Sequence, residues 1–88
     1  MPRYLIERAV PACSRTELEA AARRSLTVLS EMPHVRWIRS YVSEAQGKIY
    51  CEYEAPNVEA VIEHARRAGL PADRISEVAL EINPAMFA

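Results

Sequence analysis

Glycine is scarce in this chain, two residues in 88, and so are cysteine (two), tryptophan (one) and phenylalanine (one). So few glycines, scattered singly, exclude a glycine-rich phosphate loop, and no GxSxG, HxxxH or HExxH pattern is present. The cysteines form neither a CxxC pair nor a disulfide framework and are expected to be thiols. Charge of one sign is also missing: 11 basic and 12 acidic residues give a net charge of -1, which removes the electrostatic pull on nucleic acid or anionic lipid. No run approaches the roughly 18 apolar residues of a membrane span. Glu7 interrupts the N-terminal stretch where a signal peptide needs an unbroken apolar region, so a cytoplasmic protein is expected.

What is present is a chain that is 50% hydrophobic and 26% charged, apolar enough to fold and too short for more than one core. A single domain over residues 1–88 is expected. Tyr4 to Ala9 reads as a strand ended by Val10-Pro11. Ser14-Arg15-Thr16-Glu17 fits a capping box, with Cys13 and Leu18 at the flanking staple positions. Leu18, Ala21, Ala22, Ser25, Leu29 and Met32 then recur at helical spacing until Pro33 stops the helix. Val35 to Ser43 and Lys48 to Ala55 are β-rich runs joined by Glu44-Ala45-Gln46-Gly47, a hairpin signal. Asn57 caps a second helix striped by Val58, Val61, Ile62 and Ala65, and Gly69 with Leu70-Pro71 ends it. A last strand is expected from Ile75 to about Ile82, before Asn83-Pro84.

The order βαββαβ in a chain of this length predicts an α+β, ferredoxin-like sandwich: a four-stranded antiparallel sheet of strand order 4-1-3-2 with both helices on one face. Pairing Ser43 with Lys48 across the hairpin opposes Tyr41 to Tyr50, Ser40 to Cys51, Arg39 to Glu52 and Ile38 to Tyr53. Opposite charges and paired aromatics are favourable cross-strand neighbours. In this register the helix-covered face carries Ile6, Ile38, Val42, Ile49, Cys51, Tyr53, Val78, Leu80 and Ile82. The open face carries Glu7, Trp37, Arg39, Tyr41, Tyr50, Glu52, Glu54, Glu77 and Glu81.

Placing the only tryptophan and two tyrosines on an open face calls for a cover. The simplest cover is a second copy, giving a dimeric α/β barrel. Inside it, Glu7, Glu52 and Glu77 stand near Arg39 as a candidate ligand pocket with Trp37, Tyr41 and Tyr50. Clustered carboxylates there can act as acid or base or hold a cation. The plainer alternative is an Arg39–Glu52 ion pair among solvated neighbours. Cys51 is expected as a small buried hydrophobe, while Cys13, beside a helix N-terminus, is the candidate reactive thiol. His64 lies on the edge of the second helix's apolar stripe, and His34 precedes strand 2.

Trp37-Ile38-Arg39-Ser40-Tyr41-Val42, Lys48-Ile49-Tyr50-Cys51-Glu52-Tyr53-Glu54-Ala55-Pro56-Asn57, Glu63-His64-Ala65-Arg66-Arg67 and Gly69-Leu70-Pro71-Ala72 resemble a family of small bacterial ferredoxin-like proteins. That family was first described as a domain of unknown function, and its named member is a nickel-binding protein. Pro2-Arg3-Tyr4-Leu5-Ile6-Glu7-Arg8 extends the resemblance over nearly the whole chain. It implies the ferredoxin-like fold, a barrel-type homodimer, and binding of nickel or another divalent metal, with no nucleotide cofactor. Nickel suits imidazole nitrogen and tolerates oxygen donors, so His64 and Glu63 are the candidate metal residues. One position departs from the family: Arg39 stands where a histidine often precedes Ser-Tyr-Val, and a guanidinium is no metal ligand. Two readings therefore stand open. One is a small cytoplasmic metal-binding protein without a catalytic group. The other is a dimeric barrel that binds a small molecule, or works as a cofactor-free enzyme, through its aromatic and carboxylate face.

Overall fold

The structure, a computed structural model, describes all 88 residues. Strand β1 spans Arg3–Ala9, helix α1 Arg15–Glu31, β2 Arg36–Ser43, β3 Lys48–Glu54, α2 Val58–Ala68 and β4 Arg74–Val78, and a 3-10 turn follows at Pro84–Phe87. The sheet order β2-β3-β1-β4, antiparallel throughout, is the expected 4-1-3-2 order read from the other edge. The fold is therefore the ferredoxin-like α+β sandwich. No helix is long and apolar enough to cross a membrane.

Local chemistry accounts for the element ends. Ser14 Oγ accepts from the Glu17 amide and Glu17 Oε1 accepts from the Ser14 amide, both at 3.1 Å, which satisfies two otherwise orphaned donors at the start of α1. The same bonds hold the Glu17 carboxyl below its usual pKa. Asn57 Oδ1 accepts from the Ala60 amide at 2.9 Å to begin α2, and Gly69 ends it in the left-handed conformation at φ 67°. In the hairpin, Gly47 sits at φ 62°, and a Cβ there would stand 3.3 Å from the Pro11 Cα, so both backbone conformation and space call for glycine.

From Arg39–Glu52 to Ser43–Lys48 the hairpin register is the expected one, and it then shifts. Trp37, not Ile38, pairs with Tyr53, so two residues, Ile38 and Arg39, oppose the single Glu52. This β-bulge reverses the expected placing of two side chains. Trp37 turns to the helix-covered side, packs against the core and donates its Nε1–H to Ser40 Oγ at 2.9 Å. Ile38 turns to the open face. The exchange buries the larger apolar surface and still satisfies the indole N–H.

A second reversal affects β4. Ile75 pairs with Ile6 and Glu77 with Tyr4, on the helix-covered side, while Val78 pairs with Arg3 on the open side. The expected inward set Val78, Leu80 and Ile82 and the outward Glu77 are thus both corrected. The strand is also shorter than expected and stops at Val78. Ile75 is its one apolar residue packed on the core, and matching it to Ile6 sets the parity. Leu80 and Ile82 lie beyond the strand, 74% and 61% exposed, beside the open face.

The core lies between the sheet and the two helices. It contains Tyr4, Ile6, Cys51, Tyr53, Val28, Met32, Val35, Ala55, Val61 and Ala68. Three polar residues are buried with it: Arg8, Ser25 and His64.

Candidate functional site

The open sheet face forms a broad groove of about 950 Å³. Its floor combines Leu5 from β1, Ile38, Arg39 and Tyr41 from β2, and Tyr50 and Glu52 from β3, with Val78, Leu80 and Ile82 along one side. Every carboxylate here meets a cation. Glu52 lies 3.7 Å from Arg39 Nε and 4.0 Å from Arg3 Nη1. Glu7 accepts from Lys48 Nζ at 3.0 Å, and this bond raises the Lys48 pKa. Glu54 is paired with Arg36 and Glu81 with Arg3.

The expected pocket is therefore only partly assembled. Arg39, Tyr41, Tyr50 and Glu52 do come together, as the adjacent register pairs require. Glu7 shares their face but is bound to Lys48. Trp37 is on the opposite face because of the bulge, and Glu77 because of the β4 parity. The arrangement is one of alternating ion pairs beside exposed apolar side chains, including Tyr41 at 55% and Leu5 at 43% exposure. Chemically it suits a self-complementary polar and apolar surface better than a carboxylate acid–base pair.

The candidate metal residues Glu63 and His64 are neighbours on α2 with different surroundings. The Glu63 carboxylate accepts from Arg66 Nε at 3.0 Å, Arg66 Nη2 at 2.6 Å and Arg67 Nε at 2.6 Å, which pull its pKa down to about 2. His64 is wholly buried, its Nε2 is 3.1 Å from Ser25 Oγ, and its ring lies 5.1 Å from that of Tyr53. Burial holds the imidazole pKa below its usual value, and the nearby Arg8 cation adds to the effect. No group of three or more His, Cys, Asp or Glu side chains in one chain is placed to hold a metal ion. The residues of a single chain thus do not fit a nickel centre. Cys13 is half-buried just before the α1 cap, Cys51 is buried in the core, and both are free thiols.

A second concavity lies on the other side of the sheet, beneath the first half of α1. Its volume is about 150 Å³, and its walls include Leu18, Ala22, Trp37, Ile49 and Leu70. A chain of polar contacts runs through its lining: Trp37 Nε1 to Ser40 Oγ, then Ser40 Oγ to Cys51 Sγ, each 2.9 Å. Arg8 also lines it, only 2% exposed, with its guanidinium carbon 5.8 Å from the Tyr53 ring centre. Nη1 donates to the Pro71 carbonyl at 2.5 Å, while Nε and Nη2 have no hydrogen-bond partner in the protein. Arg8 was absent from the residues singled out from the sequence, yet a signal was there. It shares the parity of Tyr4 and Ile6, and a charged residue in phase with a core stripe is the unusual one.

Among solved structures, the chain is similar to the crystal structure of SCO4226 from Streptomyces coelicolor A3(2), with a TM-score of 0.80 and 31% sequence identity over 91% of this chain and 99% of that one. No curated protein matches it. The family described as nickel responsive protein SCO4226-like matches residues 4–78, which takes in both helices and, but for Arg3, all four strands. With sequence, strand order and tertiary structure in agreement, the chain belongs to the SCO4226-like family.

Proposed function

We propose that this protein is a small nickel-binding protein that acts as a homodimer, with two open sheet faces packed against each other. Family membership, in a family described by its response to nickel, supports the metal. The observation that carries the dimer is the groove itself. A four-stranded face bearing Leu5, Ile38, Tyr41 and Tyr50 beside cations and carboxylates of both signs can pair with its own copy. The two points are linked, because one chain lacks three donors in one place. A nickel coordination shell then draws donors from both copies. In the cell such a protein would buffer or carry the ion in the cytoplasm rather than catalyse a reaction.

Sedimentation and nickel calorimetry on the tag-free protein test this reading together. The wild type is expected to sediment as a dimer and to bind nickel. Tyr41→Asp, which puts an unpaired charge into the seam, is expected to give a monomer that has lost nickel binding. A monomeric wild type refutes the dimer. A Tyr41→Asp monomer that binds nickel as tightly as the wild type refutes the shared site.

A further inference from the structure

The segment after β4 contributes nothing to the core. Every residue from Ala79 to Ala88 is exposed, and the one ion pair the segment makes is that of Glu81 with Arg3. It is nevertheless apolar: Leu80 and Phe87 are 74% exposed, Ile82 61% and Met86 55%, four of the ten large hydrophobic side chains that the protein leaves exposed. Single exposed apolar residues are ordinary, but a run of them marks a contact surface. The segment lies outside residues 4–78, so family membership does not account for it.

Its backbone is equally without a partner. Val78 is opposite Arg3, where β1 begins, so the ladder runs out of strand there, and Ala79 to Ile82 make no backbone hydrogen bond to the rest of the chain. Asn83 and Pro84 then start the 3-10 turn, in which the Met86 amide donates to the Asn83 carbonyl at 3.1 Å. A stem followed by a turn that proline pre-sets has less freedom to lose on docking than a flexible tail. Position decides what this arm meets. Leu80, Glu81 and Ile82 stand along one side of the groove on the open sheet face, so a body seated on that face touches them. In their own chain Leu80 and Ile82 leave the groove uncovered.

We propose that residues 79–88 form an arm that clasps a second copy of this chain, with Leu80 and Ile82 packing on the open sheet face of the partner and Phe87 extending the contact. The face needs this addition. Its own strongly exposed large apolar side chains are only Leu5 at 43% and Tyr41 at 55%, whereas a stable complex buries about 800 Å² on each partner. Charge agrees with this placing: residues 79–88 contain one acid and no base, while the edge strand β2 contains Arg36 and Arg39 and no acid. The inference rests on the dimer proposed above, adds the element that holds it together, and does not depend on nickel.

Sedimentation equilibrium of the full chain without nickel measures the dimer Kd of the wild type and of the double variant Leu80→Ser, Ile82→Ser. Leu26→Ser, on α1 and 55% exposed, is the control on a helix instead of the arm. Each arm loses two apolar side chains and the dimer has two arms, so the double variant is expected to raise Kd about a hundredfold or more. The control is expected to leave it unchanged. In mixtures of isotope-labelled and unlabelled wild type, NOEs are expected between the Leu80 and Ile82 methyl groups of one copy and tyrosine rings of the other. A dimeric wild type with an equally tight double variant, or with equal weakening by Leu26→Ser, overturns the arm and leaves the face-to-face dimer standing. NOEs confined to a single copy put the arm on its own sheet and overturn it likewise. A monomeric wild type overturns both the arm and the dimer.

Discussion

His64 makes the stability of this protein depend on pH in a way that can be worked out from its surroundings. The ring is wholly buried, accepts or shares one hydrogen bond with Ser25, and leaves Nδ1 without a partner. Burial, with the Arg8 cation as a lesser cause, lowers its pKa in the folded state. Above the unfolded value of about 6.5 the imidazole is neutral in both states, and the full stability is present. As the pH falls below that value, the unfolded chain takes a proton that the folded core refuses. Stability is therefore lost on acidification, down to the depressed folded pKa. For one proton refused throughout, the loss between about pH 7.5 and about pH 5.5 has an upper limit of about 1.4 kcal/mol. That is a substantial part of the 5–15 kcal/mol typical of small domains. Urea titrations at both pH values on the wild type and on His64→Gln measure it. Glutamine can keep a bond to Ser25 without titrating, so the exposed His34 and the carboxylates cancel in the comparison. The wild type is expected to lose more stability than the variant over this range. Identical losses, or an NMR titration of His64 centred at or above 6.5, would refute the reasoning.

Two further substitutions probe the ends of elements, each measured by chemical denaturation. Ser14→Ala removes the acceptor for the Glu17 amide and is expected to cost about 1 kcal/mol, as for other N-caps; a neutral result would mean that water replaces the cap. Gly47→Ala places a Cβ at φ 62° and 3.3 Å from the Pro11 Cα, and a loss of about 1–2 kcal/mol is expected from the left-handed conformation alone. No loss there would show that the hairpin relaxes around the new methyl group.

The parts of the candidate site that the sequence revealed are those tied to the hairpin turn. Gly47 and the four-residue loop set the pairing from Ser43–Lys48 back to Arg39–Glu52, so Tyr41, Tyr50, Arg39 and Glu52 were placed together on one face. Beyond that point alternation misleads. One inserted residue at Ile38 sends Trp37 to the core, and nothing in the local pattern marks the insertion. His64 and Glu63 are adjacent in sequence, yet one is sealed against Ser25 and Tyr53 while the other clasps two arginines at the surface. Adjacent helical positions point about 100° apart, and only the packing of α2 decides which of the two enters the core.

Sequence alone determined the kind and order of the elements, their caps and the hairpin, and hence the ferredoxin-like topology. These depend on helical and strand periods, on proline and glycine, and on hydrogen bonds spanning three or four residues. Tertiary structure alone decided the parity of β4, the bulge in β2 and the burial of Arg8. Each of these is a choice between the two faces of a strand, settled by which side chains fill a core built from distant segments. Ile75 matched to Ile6 outweighs the alternation of Val78, Leu80 and Ile82. The indole of Trp37 outweighs Ile38 for a place beside Tyr53. The strand period carries Arg8 inward, where the Pro71 carbonyl accepts from its Nη1 and the Tyr53 ring lies beside its guanidinium.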